Sequence, residues 1–591
     1  MADGPDSTGG AASAGDPPLS CGVFSHETRR HARGSDIAAV AIGLFMLITV
    51  YTMSNSRLKW PGDQYTDMNT LMSGENFATH GLFQLKLLPV FHVGAMTDPP
   101  SYYTHYPPLT NVVNGLLRLA GVESLGTMRI FCGLLGIAGL VCMYRAFAPD
   151  VGPVAAACGL GFLATTGFFF TYCISLHHTF NIFFVGLFLV LFTRAVRSGG
   201  RALGLWVGCW IVLMLESLTS FEFILYPQVF AWVYLLATGH VRRHWRVLIV
   251  LATAPVAGVA LHFLQNCWAL GLSAATADAL SALDKATGAR GPGRWFYSRQ
   301  VPGFILSNGQ QLYYQSWPVL LVVPPALAVW VAAREPTSGA AGRRRAVLLA
   351  ALVASLAWYV VMPSHTAHHP HTMSQLLPLV FVVMGGTIAV IVQGLVVRQA
   401  PVYRRVLAGA AALIVVVGQA SSVLTSLHQA SNPPPQLYHL FEAMGDTAFP
   451  SDAAVLTNSN ADSQLAYFIR RPVWRCPTPE LRLDSGSLAS LQKRLSDDWR
   501  IAYYILCKTN KRELFETLAS TCPGRGVGFE TGWTRHVVMV FDISRLVVPP
   551  DQRPPLRPDM REHQLNNRFP QWDPPDFHER LRQMGFGTPR P

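Results

Sequence analysis

Eleven apolar runs recur along this chain, near 37–54, 125–144, 151–173, 176–193, 202–218, 221–239, 246–268, 317–333, 346–362, 374–397 and 406–425. Each is close to the roughly 17–25 residues that carry a helix across a bilayer. Charged residues make up only 14% of the 591, and apolar residues 50%, where soluble domains carry roughly 25% charged residues. A shortfall spread over most of the length argues for a polytopic α-helical membrane protein rather than a globular domain on one anchor. The first run starts late and is long enough to cross, so it reads as a span and not as a cleaved leader.

The basic residues give this arrangement a direction. A formal net charge of +12 would suit a nucleic-acid binder, but the arginines punctuate apolar runs. No free basic face with interleaved aromatics is visible, so no nucleic-acid partner is expected. Lys and Arg collect on the cytoplasmic side of membrane proteins. The segment His105–Ala120 is apolar after its prolines, but it is short and contains Asn111, Asn114 and Arg118. Read as a surface or re-entrant helix, it leaves Arg29–Arg33, Arg145, Arg194, Arg197, Arg201, Arg242, Arg243, Arg246, Arg334, Arg343–Arg345, Arg398, Arg404 and Arg405 on one side. The expected topology therefore has the N-terminus inside and the C-terminus outside.

Outside the spans, residues 1–34 read as a cytoplasmic tail, disordered over its Gly-, Ala-, Ser- and Pro-rich first twenty residues. The membrane domain, 35–428, carries an external first loop at 55–124 and a second at 269–316. Within the second loop, Ser273–Thr287 has the spacing of a helix lying on the membrane surface. From 429 to 550 the pattern changes to short β-rich runs (Ala453–Leu456, Ile501–Leu506, Val537–Ile543) alternating with helical ones, as in a small external α/β domain. The tail 551–591 is Pro- and Arg-rich and extended. Most cysteines lie in spans, while Cys476, Cys507 and Cys522 share the external region, where one disulfide is conceivable.

The same topology gathers the unusual polar residues on the face opposite the arginines. Asp63, Asp67, Glu75, His105, His177, His178 and the run Ser364-His365-Thr-Ala-His368-His369-Pro-His371 all fall outside or at outer span ends. Ionisable groups near a bilayer are costly and usually functional. Each also has a plainer reading. Asp63 follows Pro61-Gly62 and would suit a turn or helix cap. His177 and His178 would suit an interfacial ring with a polar tip. Glu222, inside an apolar stretch, would suit a pairing with a neighbouring span. His365, His368, His369 and His371 could ligate a metal, but their spacing matches no HExxH pattern and brings no carboxylate. A divalent metal therefore stays open without being expected, and no cofactor is required.

The order of these elements resembles the GT-C glycosyltransferases that use polyprenyl-phosphate sugars, above all the protein O-mannosyltransferase and aminoarabinose-transferase branch. The resemblance covers about 35–425. It rests on Asp63-Gln64 where the family has an Asp-Glu pair, and on Tyr106-Pro-Pro-Leu109 where it has Lys-Pro-Pro-Leu. Leu218-Thr-Ser-Phe-Glu222 stands in place of a Leu-Thr-Lys-Gly run, and a His-rich run leads into Gln375-Leu-Leu-Pro-Leu379. Two basic positions of the family are thus replaced here.

The resemblance implies an inverting transfer on the external face, from a polyprenyl-phosphate sugar to a protein, lipid or glycan acceptor. It places Asp63 as the base that takes the acceptor's proton, with Asp67 the alternative if the register slips. With the lysine missing, His105, Tyr106 and the His365–His371 cluster are the partners expected for the leaving phosphate, with His177, His178 and Glu222 as further substrate contacts. The setting would be a bacterial plasma membrane or, alternatively, the endoplasmic reticulum. A polytopic secondary transporter is the competing class, but no pair of similar halves with broken helices is visible.

Overall fold

Asp150, near the end of helix Leu125–Val151, draws three other helices to it. It accepts hydrogen bonds from Arg197 Nη2 at 3.0 Å and Tyr234 Oη at 3.0 Å, and Arg343 Nε lies 3.5 Å away. These partners come from the last turn of His178–Arg197, the end of Leu225–Ala237 and the start of Ala340–Val361. The carboxylate is 3% exposed, so the arginines offset what would be a costly buried charge. This junction defines an arginine end of the bundle. A helix of twenty residues such as His178–Arg197 rises about 30 Å, so His178 lies a membrane's thickness from Arg197.

The computed structural model describes residues 26–54, 64–92, 100–198, 202–287, 293–314, 317–332, 340–396 and 401–431. Toward the C-terminus it describes 449, 452–457, 465–466, 469–475, 485–495, 500–506, 518, 524–531, 534–544 and 546–547. Among these residues seven helices are long and apolar enough to cross a membrane: Gly34–Ser54, Leu125–Val151, His178–Arg197, Val241–Leu270, Ala341–Val361, Pro370–Val396 and Val402–Leu427. The other four expected spans coincide with shorter apolar helices, Pro153–Ala164, Leu203–Ser217, Phe221–Ala237 and Leu321–Ala332. The run at 151–173 is not one continuous helix. Thr166 interrupts it, its hydroxyl capping a new helix Gly167–Tyr172 by accepting from Phe169 N at 3.3 Å.

Close packing fixes how these helices sit. A Cβ on Gly186 would collide with the Gly139 carbonyl, so helices Leu125–Val151 and His178–Arg197 meet backbone to backbone. Apolar side chains such as Ile37, Ile48, Val256, Leu264, Val406 and Leu413 are more than half exposed, as expected for lipid-facing surfaces. The His105–Ala120 segment forms the eleven-residue helix Leu109–Leu119, too short to cross. It packs on helix Gln64–His80, with Gly115 against the Phe77 ring. Leu272–Thr287 is a separate, largely exposed helix.

Beyond the membrane helices lies a five-stranded sheet of order β2-β1-β3-β5-β4. Its strands are β1 (Ala453–Thr457), β2 (Val473–Arg475), β3 (Arg500–Leu506), β4 (Gly524–Thr531) and β5 (Thr534–Asp542). β1 runs parallel to β2 and β3, while β5 is antiparallel to β3 and β4. Contacts among the described residues join the sheet region to the first loop. Arg470 Nη1 lies 3.1 Å from Glu75 Oε2, and the His92 and Trp474 rings stack at 6.5 Å. Cys476, Cys507 and Cys522 lie outside the described residues.

Candidate functional site

At the end of the bundle opposite Asp150, two segments distant in sequence, one at Tyr106 and one at the histidine run, meet on the carboxylate of Glu222. The 3-10 turn Phe221–Phe223 follows Ser220, whose hydroxyl accepts from the Glu222 N–H at 3.2 Å and fixes the turn. Glu222 Oε1 accepts from the Tyr106 hydroxyl at 3.0 Å and lies 2.8 Å from His371 Nε2 and 3.3 Å from His365 Nε2. Its backbone carbonyl accepts from Gln375 Nε2 at 2.6 Å. The group is 2% exposed. Two roles left open by the sequence therefore coincide: Glu222 is paired with a neighbouring segment, and that segment is the histidine run.

The prolines after Tyr106 explain how it reaches this carboxylate. Pro107 and Pro108 stop the loop from continuing as helix and start Leu109–Leu119, whose N-cap position is Pro108. Leu109 N donates to Leu218 O at 2.9 Å, tying this element to the chain just before Glu222. Tyr106 also lies 2.6 Å from His365 Nε2 and stacks on Tyr103 at 6.3 Å. Burial, and next the Glu222 carboxylate, push the Tyr106 phenol well above its ordinary pKa, so it stays a hydrogen-bond donor.

The histidines form one aromatic group. The His365 and His369 rings stack at 4.3 Å and those of His178 and His371 at 4.4 Å, while Trp358 sits edge-on to His365 at 5.7 Å. The side chain of His368 lies outside the described residues. Pro363 and Pro370 break this stretch into a short helix, Pro363–His368, and a 3-10 turn, Pro370–Leu376. That break brings three rings of a nine-residue stretch to one point. His177 and His178 are buried, 9% and 6% exposed, which replaces the interfacial placement with a packed one. His177 Nδ1 lies 2.7 Å from the Thr110 hydroxyl.

Asp67 anchors the neighbouring wall. Its Oδ1 accepts from Ser175 Oγ and Leu176 N, each at 2.8 Å, and it is 1% exposed. The Ser175 hydroxyl in turn accepts from the N–H groups of His177 and His178 at 3.4 Å. Asp67 is thereby linked through Ser175 to the histidine that stacks on His371. Asp63 lies outside the described residues.

His105 takes a different partner. Its Nε2 lies 3.0 Å from Asp278 Oδ1, and Thr104 Oγ1 donates to Asp278 Oδ2 at 2.5 Å. The Thr104 carbonyl is held by His262 Nε2 at 3.0 Å and Asn266 Nδ2 at 3.2 Å. Asp278, on the surface helix Leu272–Thr287, was not singled out from the sequence, because one acidic residue on an amphipathic helix carries no local signal. Glu216 was missed too, though a lone carboxylate in the run 203–217 was visible. It is fully buried, and neither oxygen has a hydrogen-bond partner among the described residues. An apolar cavity of about 960 Å³, lined by Ile42, Cys158, Phe162, Ile388, Val415 and Val423 among others, shares no residue with the histidine group.

No family model matches the sequence, and no curated protein matches it either. Solved structures do match. ArnT from Cupriavidus metallidurans in the apo state superposes with a TM-score of 0.50 at 14% identity, covering 88% of this chain and 99% of that one. In fold, the chain resembles ArnT. The resemblance to the GT-C glycosyltransferases seen in the motifs thus extends to the architecture. The same ArnT bound to undecaprenyl phosphate gives 0.49 at 15% identity, covering 87% and 99%. The apo oligosaccharyltransferase of Archaeoglobus fulgidus gives 0.48 at 10%, covering 87% and 75%.

Proposed function

We propose that this protein is a membrane glycosyltransferase that moves a sugar from a polyprenyl-phosphate donor to an acceptor on the face bearing the histidine group. The observation that carries this reading is the meeting of Tyr106, Glu222, His365 and His371 at one end of a GT-C-like bundle. ArnT, whose fold is similar, has been seen with undecaprenyl phosphate. Asp63 is the base. It takes the proton of the acceptor hydroxyl or amine as that atom bonds to the anomeric carbon. The bond from that carbon to the phosphate oxygen breaks on the opposite side, inverting the centre and releasing polyprenyl phosphate.

The leaving phosphate gathers charge and needs fixed donors. Tyr106, His365, His369 and His371 are the groups assigned to it, in the place of the family's lysine. His105, held by Asp278, is assigned to the edge of the same site, and His177 and His178 to its support. Asp67, engaged by Ser175 and Leu176, fits a pinning role better than that of a base. The sugar-bearing side faces outward, with the arginine end in the cytoplasm.

The test is purified protein in detergent, with no sealed membrane, incubated with a polyprenyl-phosphate sugar and an envelope extract as acceptor. Free polyprenyl phosphate should appear together with a labelled product, and Asp63→Asn should remove both. Solute uptake into sealed vesicles with no donor cleavage would replace the enzyme by a transporter.

A further inference from the structure

Three imidazoles and one carboxylate meet at this end of the bundle. One ring nitrogen each from His365, His369 and His371 lies within 4.8 Å of the others. The rings of His369 and His371 are 5.2 Å apart and those of His365 and His371 6.0 Å. Three cationic imidazoles so close would repel one another, with Glu222 as the carboxylate beside them. Neutral imidazole has no such penalty, and it is the form that binds metals.

Glu222 supplies the second observation. Its Oε1 engages Tyr106, His365 and His371, whereas its Oε2 is buried with no hydrogen-bond partner among the described residues. An anionic oxygen buried without a donor is costly, and a cation beside it removes that cost. Oε1 also contacts Nε2 of both His365 and His371. A carboxylate on one ring nitrogen is the usual device that fixes an imidazole's tautomer and leaves the other nitrogen for a metal.

We propose that His365, His369 and His371 bind one divalent cation of the zinc class, with Glu222 orienting two of the imidazoles and offsetting part of the ion's charge. Three nitrogen ligands favour zinc or cobalt over magnesium or calcium, which prefer oxygen. Zinc bonds of about 2.0–2.1 Å set tetrahedral ligands roughly 3.4 Å apart, so side-chain rotations of about an ångström close the present arrangement. A set of three histidines leaves one coordination position open, as in catalytic rather than structural sites. Occupancy of the site is independent of the glycosyltransferase reading. Its use rests on that reading: the open position would take a donor phosphate oxygen and replace the cationic group that Tyr106 lacks.

The full-length protein, stripped with a chelator, is titrated with Zn²⁺ and separately with Co²⁺, and bound metal is measured by elemental analysis. About one ion per chain is expected, with visible Co²⁺ absorption of a nitrogen and oxygen ligand set and no displacement by excess Mg²⁺. The pair His369→Ala and His371→Ala should weaken binding at least about 100-fold, and Glu222→Gln by about 10–100-fold. No stoichiometric ion in the parent, a sulfur-to-cobalt charge-transfer band, or undiminished binding in the double variant would each overturn the site. The cobalt spectrum decides the matter on the parent protein even if the double variant does not fold. Bound metal without release of polyprenyl phosphate would sink the transferase reading and leave the site standing; release without a bound ion would do the reverse.

Discussion

Glu222 Oε1 lies 2.8 Å from His371 Nε2, joining residues 149 positions apart. The carboxylate also accepts the Tyr106 hydroxyl, so its removal leaves two imidazoles and a phenol with no common acceptor. Glu222→Ala should lower stability by about 3–5 kcal/mol, as when one member of a buried charged pair is deleted. The check is a lower midpoint of thermal unfolding in detergent. Tyr106→Phe retains the ring stack on Tyr103 and loses one hydroxyl. It should leave the midpoint nearly unchanged and cut donor turnover about tenfold, the equivalent of one hydrogen bond of about 1–1.5 kcal/mol.

His92 gives a pH prediction. Burial, set against a smaller opposing hydrogen bond at Val473, holds its pKa below the ordinary imidazole value, which is about 6.5. Below 6.5 the unfolded chain takes up a proton that the folded one refuses, so the contribution is full above 6.5 and is lost as pH falls toward the folded value. The seam between His92 and Trp474 should therefore loosen on acidification. The midpoint of His92→Phe should fall less than that of the parent between pH 7 and 5; parallel curves would remove His92 from the seam.

His105 tests the replaced lysine. His105→Ala should weaken use of the donor, and His105→Lys should preserve part of it, since a lysine there places a nitrogen donor beside Asp278. Donor saturation curves for the two variants make the comparison. If both match the parent, the Asp278 pair is structural and the phosphate partner lies in the histidine group.

Sidedness follows from the helix ends. The arginine end gathers at Asp150 and the histidine group at the far ends of the same helices. A cysteine replacing the exposed Ser307 should react with an impermeant maleimide in intact cells. One replacing the exposed Arg243 should react only after permeabilisation. The reverse pattern would turn the molecule over.

The physical character of each signal decides how much of this was legible in the sequence. Arginine clusters and apolar runs are local, so the bundle and its polarity could be read without any contact. The histidine run and the lone Glu222 were visible as oddities for the same reason, but their meeting was not, because nothing local encodes a contact across 149 residues. Asp278 lies 173 residues from His105 and on an exposed helix, where acids are ordinary. β4 escaped notice because Gly524, Gly526 and Gly528 remove the alternation that marks a strand, and β2 because it has three residues. The helix break at Thr166 was hidden by the unbroken apolar run around it, although its cap was a readable threonine.

The remaining prediction separates two aspartates four residues apart in the sequence. Asp67 is buried and its Oδ1 accepts from Ser175 and Leu176. Asp67→Asn retains an acceptor of the same size and should leave most of the turnover. Asp67→Ala leaves a buried hydroxyl and N–H without their acceptor and should cost about 1–3 kcal/mol of stability. Asp63→Asn keeps the size of the side chain and removes the base, so turnover should fall about 10²–10⁴-fold while donor affinity stays near the parent's. The decisive measurement is turnover beside donor affinity for all three variants. Full activity in Asp63→Asn with loss in Asp67→Asn would move the base to Asp67 and make its two hydrogen bonds the means of positioning it. Full activity in both asparagine variants would leave the acceptor's proton without a carboxylate to take it, and the proposed chemistry would fall.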